Sequence, residues 1–256
     1  MTEKLLITDD ADIRTLTLNR PEKLNAIDIE LLDMLVAALN DAGADNGVRA
    51  VVLAGSGKSF CAGADIGQMI DRTPRDWEET VNHYLDPIRA ISALDKAVIA
   101  RCHGNVFGGG LGLAMACDFR VATDTSRFCA PFVKLALAGC DMSAGYFLPR
   151  LVGLGRATDM MMTARFVDAR EAKEIGLLSR LVGEDELDDA VMSLAKSFAS
   201  GPARALAFTK NAIRRSMDND INSEFDYEIF AQVQCLQSEV HHERVAAFFA
   251  KRGGPK

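Results

Sequence analysis

The chain is predicted to be an α/β protein with a helical C-terminal region, and three observations predict it. Two short apolar runs, residues 48–54 (VRAVVLA) and 97–102 (AVIARC), have the composition of strands buried on both faces. Each opens into a loop of small residues and then a helix start, the alternation that builds a mostly parallel sheet covered by helices. Beyond Pro131 the apolar residues recur at helical spacing with few interruptions.

Taken in order, residues 13–18 alternate as a strand and Asn19-Arg20-Pro21 turns the chain into a helical pattern from 28 to about 42. The strand at 48–54 runs through GSGKSFCAG to a short helix expected to start near Ala64. A helical segment, WEETVNHYLDPI, precedes the strand at 97–102, and a small-residue apolar helix follows from 109 to about 116. Later helices are predicted at 143–151, 156–163, 169–175, 184–199, 203–217 and 221–250, the last with a break. Only GEDELDD and the tail KRGGPK depart from this plan, so a core with a helical extension is expected rather than two independent domains. The apolar faces of that extension call for cover by neighbouring subunits.

At 256 residues, with 48% hydrophobic and 25% charged residues, one folded domain is the default. A net charge of -7 argues against a nucleic-acid or anionic-membrane partner. MTEKLLITDDADIRT has no basic leader, and no apolar stretch is long enough to span a bilayer, so a cytoplasmic protein is expected. Six cysteines without a CxxC pair suggest neither a zinc site nor a disulfide framework, and they read as buried small residues in a reducing compartment.

The chemistry is concentrated in two segments, Cys61-Ala62-Gly63-Ala64-Asp65 and the run 104–112, GNVFGGGLG. N–H groups in the first turn of a helix have no internal partner and carry the positive end of its dipole. Two such ends meeting would hold an oxyanion, and glycine or alanine there lets a carbonyl approach the main chain. The plainer alternative is that these glycines only permit tight strand–helix packing. Neither GxGxxG nor GxxxxGK[ST] occurs, so no nucleotide cofactor is indicated.

LNRPEKLNAID, VVLAGSGKSFCAGADI, HGNVFGGGLGLAMACDFRVA, LPRLVG and the ending VAAFFAKRGGPK stand in the order and at the spacing of the crotonase (enoyl-CoA hydratase/isomerase) superfamily, which the whole chain resembles. The resemblance implies a spiral of ββα turns over 1–195 and a C-terminal helical extension over 196–256 that packs on the core and forms a homotrimer or a dimer of trimers. It implies an acyl-CoA substrate, with coenzyme A as part of that substrate, no separate cofactor and no metal. The oxyanion donors fall on Ala64 and Gly109. Lys23, Leu24, Ala26, Ala62 and Ile66 fall on the coenzyme A groove, with Asp65, Gly108, Pro131 and Val133 among the substrate contacts and Lys251 facing the nucleotide phosphates. Lys23 and Lys251 as solvated lysines, and Asp65 as a helix-start residue, are the competing readings.

Two glutamates that hold and deprotonate water in the family's hydratases are absent: the first position is Gly112 and the second is Phe132 or Val133. Asp141, in Gly139-Cys140-Asp141-Met142-Ser143, matches a stretch where dienoyl-CoA isomerases and chlorobenzoyl-CoA dehalogenases carry a working aspartate. As a proton carrier it would serve an isomerase, and as a nucleophile a dehalogenase or thioester hydrolase. As an N-cap of the helix near Ser143 it would be structural. His83 is a second candidate base, His103 is expected in a structural hydrogen bond, and His241 and His242 are expected in solvent just before the final helix. An enoyl-CoA hydratase/isomerase leads these readings, and a protein that binds acyl-CoA without turnover is the alternative outside enzymes.

Overall fold

The computed structural model describes residues 3–68 and 73–251. Strand β1 (Leu5–Asp10) turns at Ala11 into β2 (Ile13–Leu18), forming an antiparallel pair. Helix α1 (Ile29–Ala44) begins where the Asp28 carboxylate accepts the Leu31 N–H at 2.9 Å, and it buries Leu31, Leu32, Leu35 and Leu39. That is the apolar stripe expected from a 3.6-residue period. Strand β3 (Ala50–Gly55) pairs parallel with β2. Helix α2 (Pro74–Tyr84) opens with a reciprocal Thr73–Asp76 capping box, and α3 (Asp86–Ala93) leads to β4 (Ala97–Cys102), parallel to β3.

The chain then forms β5 (Asn105–Phe107), α4 (Gly109–Ala116), β6 (Phe119–Thr123) and β7 (Arg127–Cys129). Next come α5 (Ala144–Val152), α6 (Leu154–Thr163), β8 (Val167–Asp168), α7 (Ala169–Glu174), β9 (Arg180–Val182) and α8 (Leu187–Ala199). One sheet has the order β1-β2-β3-β4-β6-β9, parallel from β2 onward, and a smaller one has the order β5-β7-β8. Both faces of the larger sheet are covered. Val51 and Leu53 of β3 join the main core with α1, α3 and α4, while Ala50 and Val52 meet Val191 and Leu194 of α8. This two-sided burial is why the strand reads as a continuous apolar run.

The chain divides into two compact units, 1–199 and 200–256, so a division after 195 would fall inside α8. The second unit holds α9 (Ala203–Arg215), α10 (Ile221–Leu236) and α11 (Glu239–Lys251), with the break expected in 221–250 falling at Gln237 and Ser238. Phe208 packs edge-on against Tyr227 and Phe230, holding α9 to α10. None of these three helices buries a residue, and Ile213, Phe225, Ile229 and Phe248 are exposed. Among the described residues no helix is long and apolar enough to cross a membrane.

Candidate active site

Two glycine-containing segments meet beside β3 and β5. The first is not the helix start expected at Ala64. Ile27 N–H donates to Gly63 O and Asp65 N–H donates to Ile27 O, both at 2.8 Å, making an isolated parallel bridge between Ile27 and Ala64. A 3-10 turn begins only at Ile66. Strand groups alternate in direction, so the Ala64 N–H points away from Ile27. Buried Asn25 anchors the preceding turn, accepting the Arg20 N–H and donating to Ser56 O and Ser59 O.

The second segment leaves β5 and turns at Gly108, whose φ of 51° and ψ of -120° only glycine adopts readily, so that Gly109 is the first residue of α4. Cys61 N–H donates to Asn105 O and Phe107 N–H donates to Cys61 O, tying this segment to the first. A Cβ on Gly63 would stand 3.4 Å from Gly109 N, and one on Gly110 only 2.3 Å from Cys61 O. Gly110 is therefore required for contact between the segments, and Gly63 is favoured by its φ of 108°. Among the described residues, the Ala64 and Gly109 N–H groups donate to no main-chain carbonyl. At the far end of α4, buried Arg120 donates to Cys117 O at 2.8 Å and Leu177 O at 2.7 Å, a cation against the negative end of the helix.

The place expected for a first carboxylate is closed. A Cβ at Gly112 would lie 2.5 Å from Met142 O and 2.6 Å from Met142 Cβ, and the Met142 side chain continues toward Gly109. Met142 and Ser143 both have positive φ, 49° and 60°, a costly conformation for residues with a side chain. Asp141 Oδ1 accepts the Met142 N–H at 2.8 Å. The carboxylate thus steadies the turn Asp141–Ser143, whereas α5 starts at Ala144 and its N-cap, Ser143, makes no side-chain bond. Asp141 is half-buried, and that burial raises its carboxyl pKa above the ordinary value against the opposing Met142 N–H. For the second carboxylate position, Phe132 is the residue near Gly108, its Cε1 3.8 Å from where a Cβ would be, while Val133 is exposed.

The other expected site residues gather unevenly. Ala62 N–H donates to Leu24 O, so Lys23, Leu24 and Ala26 adjoin 61–65. Lys23 and Ile66 are exposed, and Pro131 Cδ lies 3.8 Å from the same Cβ position on Gly108. The Asp65 carboxylate does two things: it accepts the Gly67 N–H at 3.2 Å at the start of the 3-10 turn Ile66–Gln68, as the helix-start reading expects, and it pairs with Arg20 at 3.0 Å. Arg20, read in the sequence only as part of the turn Asn19-Arg20-Pro21, is brought to the site by this pairing. Lys251 ends α11 in the second unit, exposed. The helical segment WEETVNHYLDPI falls in α2 and α3, and the residues just before α2, 69–72, lie outside the described residues. His83 faces carboxylates, with Nε2 3.0 Å from Asp33 Oδ1 and Nδ1 3.8 Å from Asp86 Oδ2. His103 Nε2 lies 3.0 Å from Gly57 O. His241 and His242 fall within the first turn of α11 rather than before it, and only His242 is exposed. Cys61, Cys102, Cys117 and Cys129 are buried, but Cys140 is exposed and Cys235 half-buried. Burial pushes the Cys61 thiol up to about 12, which removes it as a nucleophile at neutral pH.

A family model for Enoyl-CoA hydratase/isomerase matches residues 8–255. A Rhizobium meliloti (strain 1021) protein named "Probable enoyl-CoA hydratase" is 36% identical over 98% of this chain and 96% of its own. The 1,2-epoxyphenylacetyl-CoA isomerase of Escherichia coli (strain K12) is 32% identical over 98% and 97%. The solved enoyl-CoA hydratase of Mycobacterium smegmatis superposes with a TM-score of 0.93 at 34% identity, covering 100% of this chain and 99% of its own. A Thermobifida fusca YX relative solved in complex with CoA gives 0.84 at 30% identity, covering 91% and 93%. The chain belongs to the enoyl-CoA hydratase/isomerase family and has the crotonase fold.

Proposed function

We propose that this enzyme acts on an acyl-CoA in the cytoplasm as an isomerase, holding the thioester oxygen between the N–H groups of Ala64 and Gly109 and moving a proton with Asp141. The approach of Gly63 to Gly109 N is the observation that supports the reading: a Cβ on Gly63, the neighbour of Ala64 in the chain, would stand 3.4 Å from that nitrogen. One such donor is worth on the order of 3 kcal/mol of transition-state stabilisation. The Asp141 carboxylate would take a proton from the substrate carbon chain. The C–H electron pair would pass into the thioester as an enolate, and the Asp141 acid would return the proton two carbons along, shifting the double bond without adding water. Closure of position 112 favours this over hydration with two glutamates. The substrate contacts would include Lys23, Leu24, Ala26, Ala62, Ile66, Gly108, Pro131 and Val133, whereas Asp65 is engaged by Arg20 and the Gly67 N–H.

A panel of enoyl-, dienoyl- and aryl-CoA thioesters incubated in heavy water and read by chromatography with mass spectrometry tests this. Isomerisation gives a repositioned double bond; a hydrated product, free acid with released CoA, or loss of halide would replace the proposal, and no conversion at all would leave a binder. Asp141→Asn is expected to lower kcat by about 100-fold or more with acyl-CoA affinity little changed. Wild-type kcat should fall as pH drops through the raised Asp141 pKa, because the base becomes protonated. The sign for stability is opposite: a raised carboxyl pKa contributes stability in acid that is lost as pH rises through the folded value. Asn, neutral throughout and still able to accept the Met142 N–H, should therefore leave the neutral-pH thermal midpoint unchanged or higher. An active Asp141→Asn enzyme would end the assignment.

The same reading includes a homotrimer or a dimer of trimers, supported by the exposed apolar side chains of α9, α10 and α11. Light scattering at micromolar concentration should give three or six times the chain mass, and a stable monomer would count against it.

A further inference from the structure

The site described above leaves Arg20 without a role, yet its guanidinium joins three parts of it. Nη1 donates to Ala26 O at 2.6 Å and lies 3.3 Å from Asp28 Oδ2; Nη2 donates to Asp65 Oδ2 at 3.0 Å. The Arg20 side chain is only 12% exposed and Asp65 17%, so the pair is sheltered enough to hold one geometry. Lys4 Nζ reaches the same Asp28 oxygen at 2.7 Å, and Asp28 caps α1, which fixes the far side of the cluster to β1 and α1. The burial that would raise the Asp28 pKa is outweighed by Lys4, the Leu31 N–H and Arg20, which lower it and keep the carboxylate charged.

Asp65 directly follows Ala64. Its Oδ1 accepts the Gly67 N–H at 3.2 Å while Oδ2 is held by Arg20, so the carboxylate spans the residues just after the donor. Nothing inside an α-helix fixes Ala64. Its orientation rests on the Ile27 bridge, and Arg20 clamps that bridge from both strands, through Ala26 O on one and Asp65 on the other. We propose that Arg20 is a positioning residue that acts through Asp65 to hold the Ala64 N–H at the angle needed by a thioester oxygen. This rests on the oxyanion reading given above. Small displacements of such a donor carry large losses in rate, because a hydrogen bond to developing charge weakens steeply as its angle opens.

The test is infrared difference spectroscopy of crotonyl-CoA carrying carbon-13 at the carbonyl, bound to the full-length protein. Two main-chain donors on the oxygen lower the carbonyl stretching frequency. Wild type should show the shift, and Asp65→Asn and Arg20→Lys should each lose a substantial part of it. A thioether, S-butyl-CoA, has no carbonyl oxygen and should bind all three proteins alike, which separates positioning from general damage to the groove. Turnover on any thioester the wild type converts should fall about 10-fold to 100-fold in kcat. If Arg20 acts through Asp65, Arg20→Lys combined with Asp65→Asn should be no worse than the weaker single variant. Variants that keep the full carbonyl shift, or that lose thioether binding in parallel, overturn the proposal. A wild type without any shift would instead remove the oxyanion reading on which it stands. Asp65→Asn keeps a hydrogen-bonding group of the same shape, so the proposal remains open to refutation even if Arg20→Lys folds poorly.

Discussion

The two candidate donors are presented by opposite structural means. Gly109 owes its free N–H to a helix: it is the first residue of α4, where no carbonyl lies one turn back, and Arg120 closes the other end. Ala64 owes its free N–H to a strand-like bridge, in which Ile27 takes the groups on either side and leaves the middle one pointing the other way. A helix start presents several donors and a dipole, so it tolerates small shifts. A bridge presents one donor and no dipole, so its aim depends on what holds the flanking residues, here Asn25, Cys61 and the Arg20–Asp65 pair. A backbone site can thus be assembled from a robust half and a tunable half.

Gly109→Pro is the harshest way to probe this division. Proline at the first helical position suits α4 itself, and the nearest obstacle to a Cβ is the movable Ile27 Cδ1 at 3.3 Å. The fold should therefore survive while the donor is deleted, with kcat lower by about 100-fold to 1000-fold. Circular dichroism and size in solution check the first part, and turnover the second; full activity would show that Gly109 donates nothing. A much smaller effect is expected from Ala64→Gly, which keeps the N–H but loosens the backbone of the bridge. Its cost should be about 0.5–1 kcal/mol, appearing as a few-fold loss in kcat. A loss as large as that of Gly109→Pro would mean that the alanine methyl, rather than the main chain, touches the substrate.

Much of this architecture was legible in the sequence. The extents of β2, β4 and α4 follow from their apolar patterns, and the break between α10 and α11 was anticipated. The strands β5, β7, β8 and β9 were not, because two or three residues carry no period and gain their pairing only from distant partners. A short helix is expected to start near Ala64 from its small neighbours; a 3-10 turn starts two residues later, at Ile66, and Ala64 itself is taken by the bridge to Ile27. His241 and His242 were placed before a helix that in fact contains them, a boundary that local composition does not mark.

The order of motifs along the chain determined the family, the two segments rich in small residues and the carboxylate at Asp141, since these depend only on residue identity and spacing. Tertiary structure decided what those residues can do. Whether glycine at 112 is a missing glutamate or an obligatory gap depends on Met142, thirty positions on in a left-handed turn, whose carbonyl leaves no room for a side chain. That Asp65 does more than start the turn Ile66–Gln68 depends on Arg20, forty-five positions earlier in the chain, which takes its other carboxylate oxygen. Such contacts join residues far apart in the chain, and no local pattern encodes them.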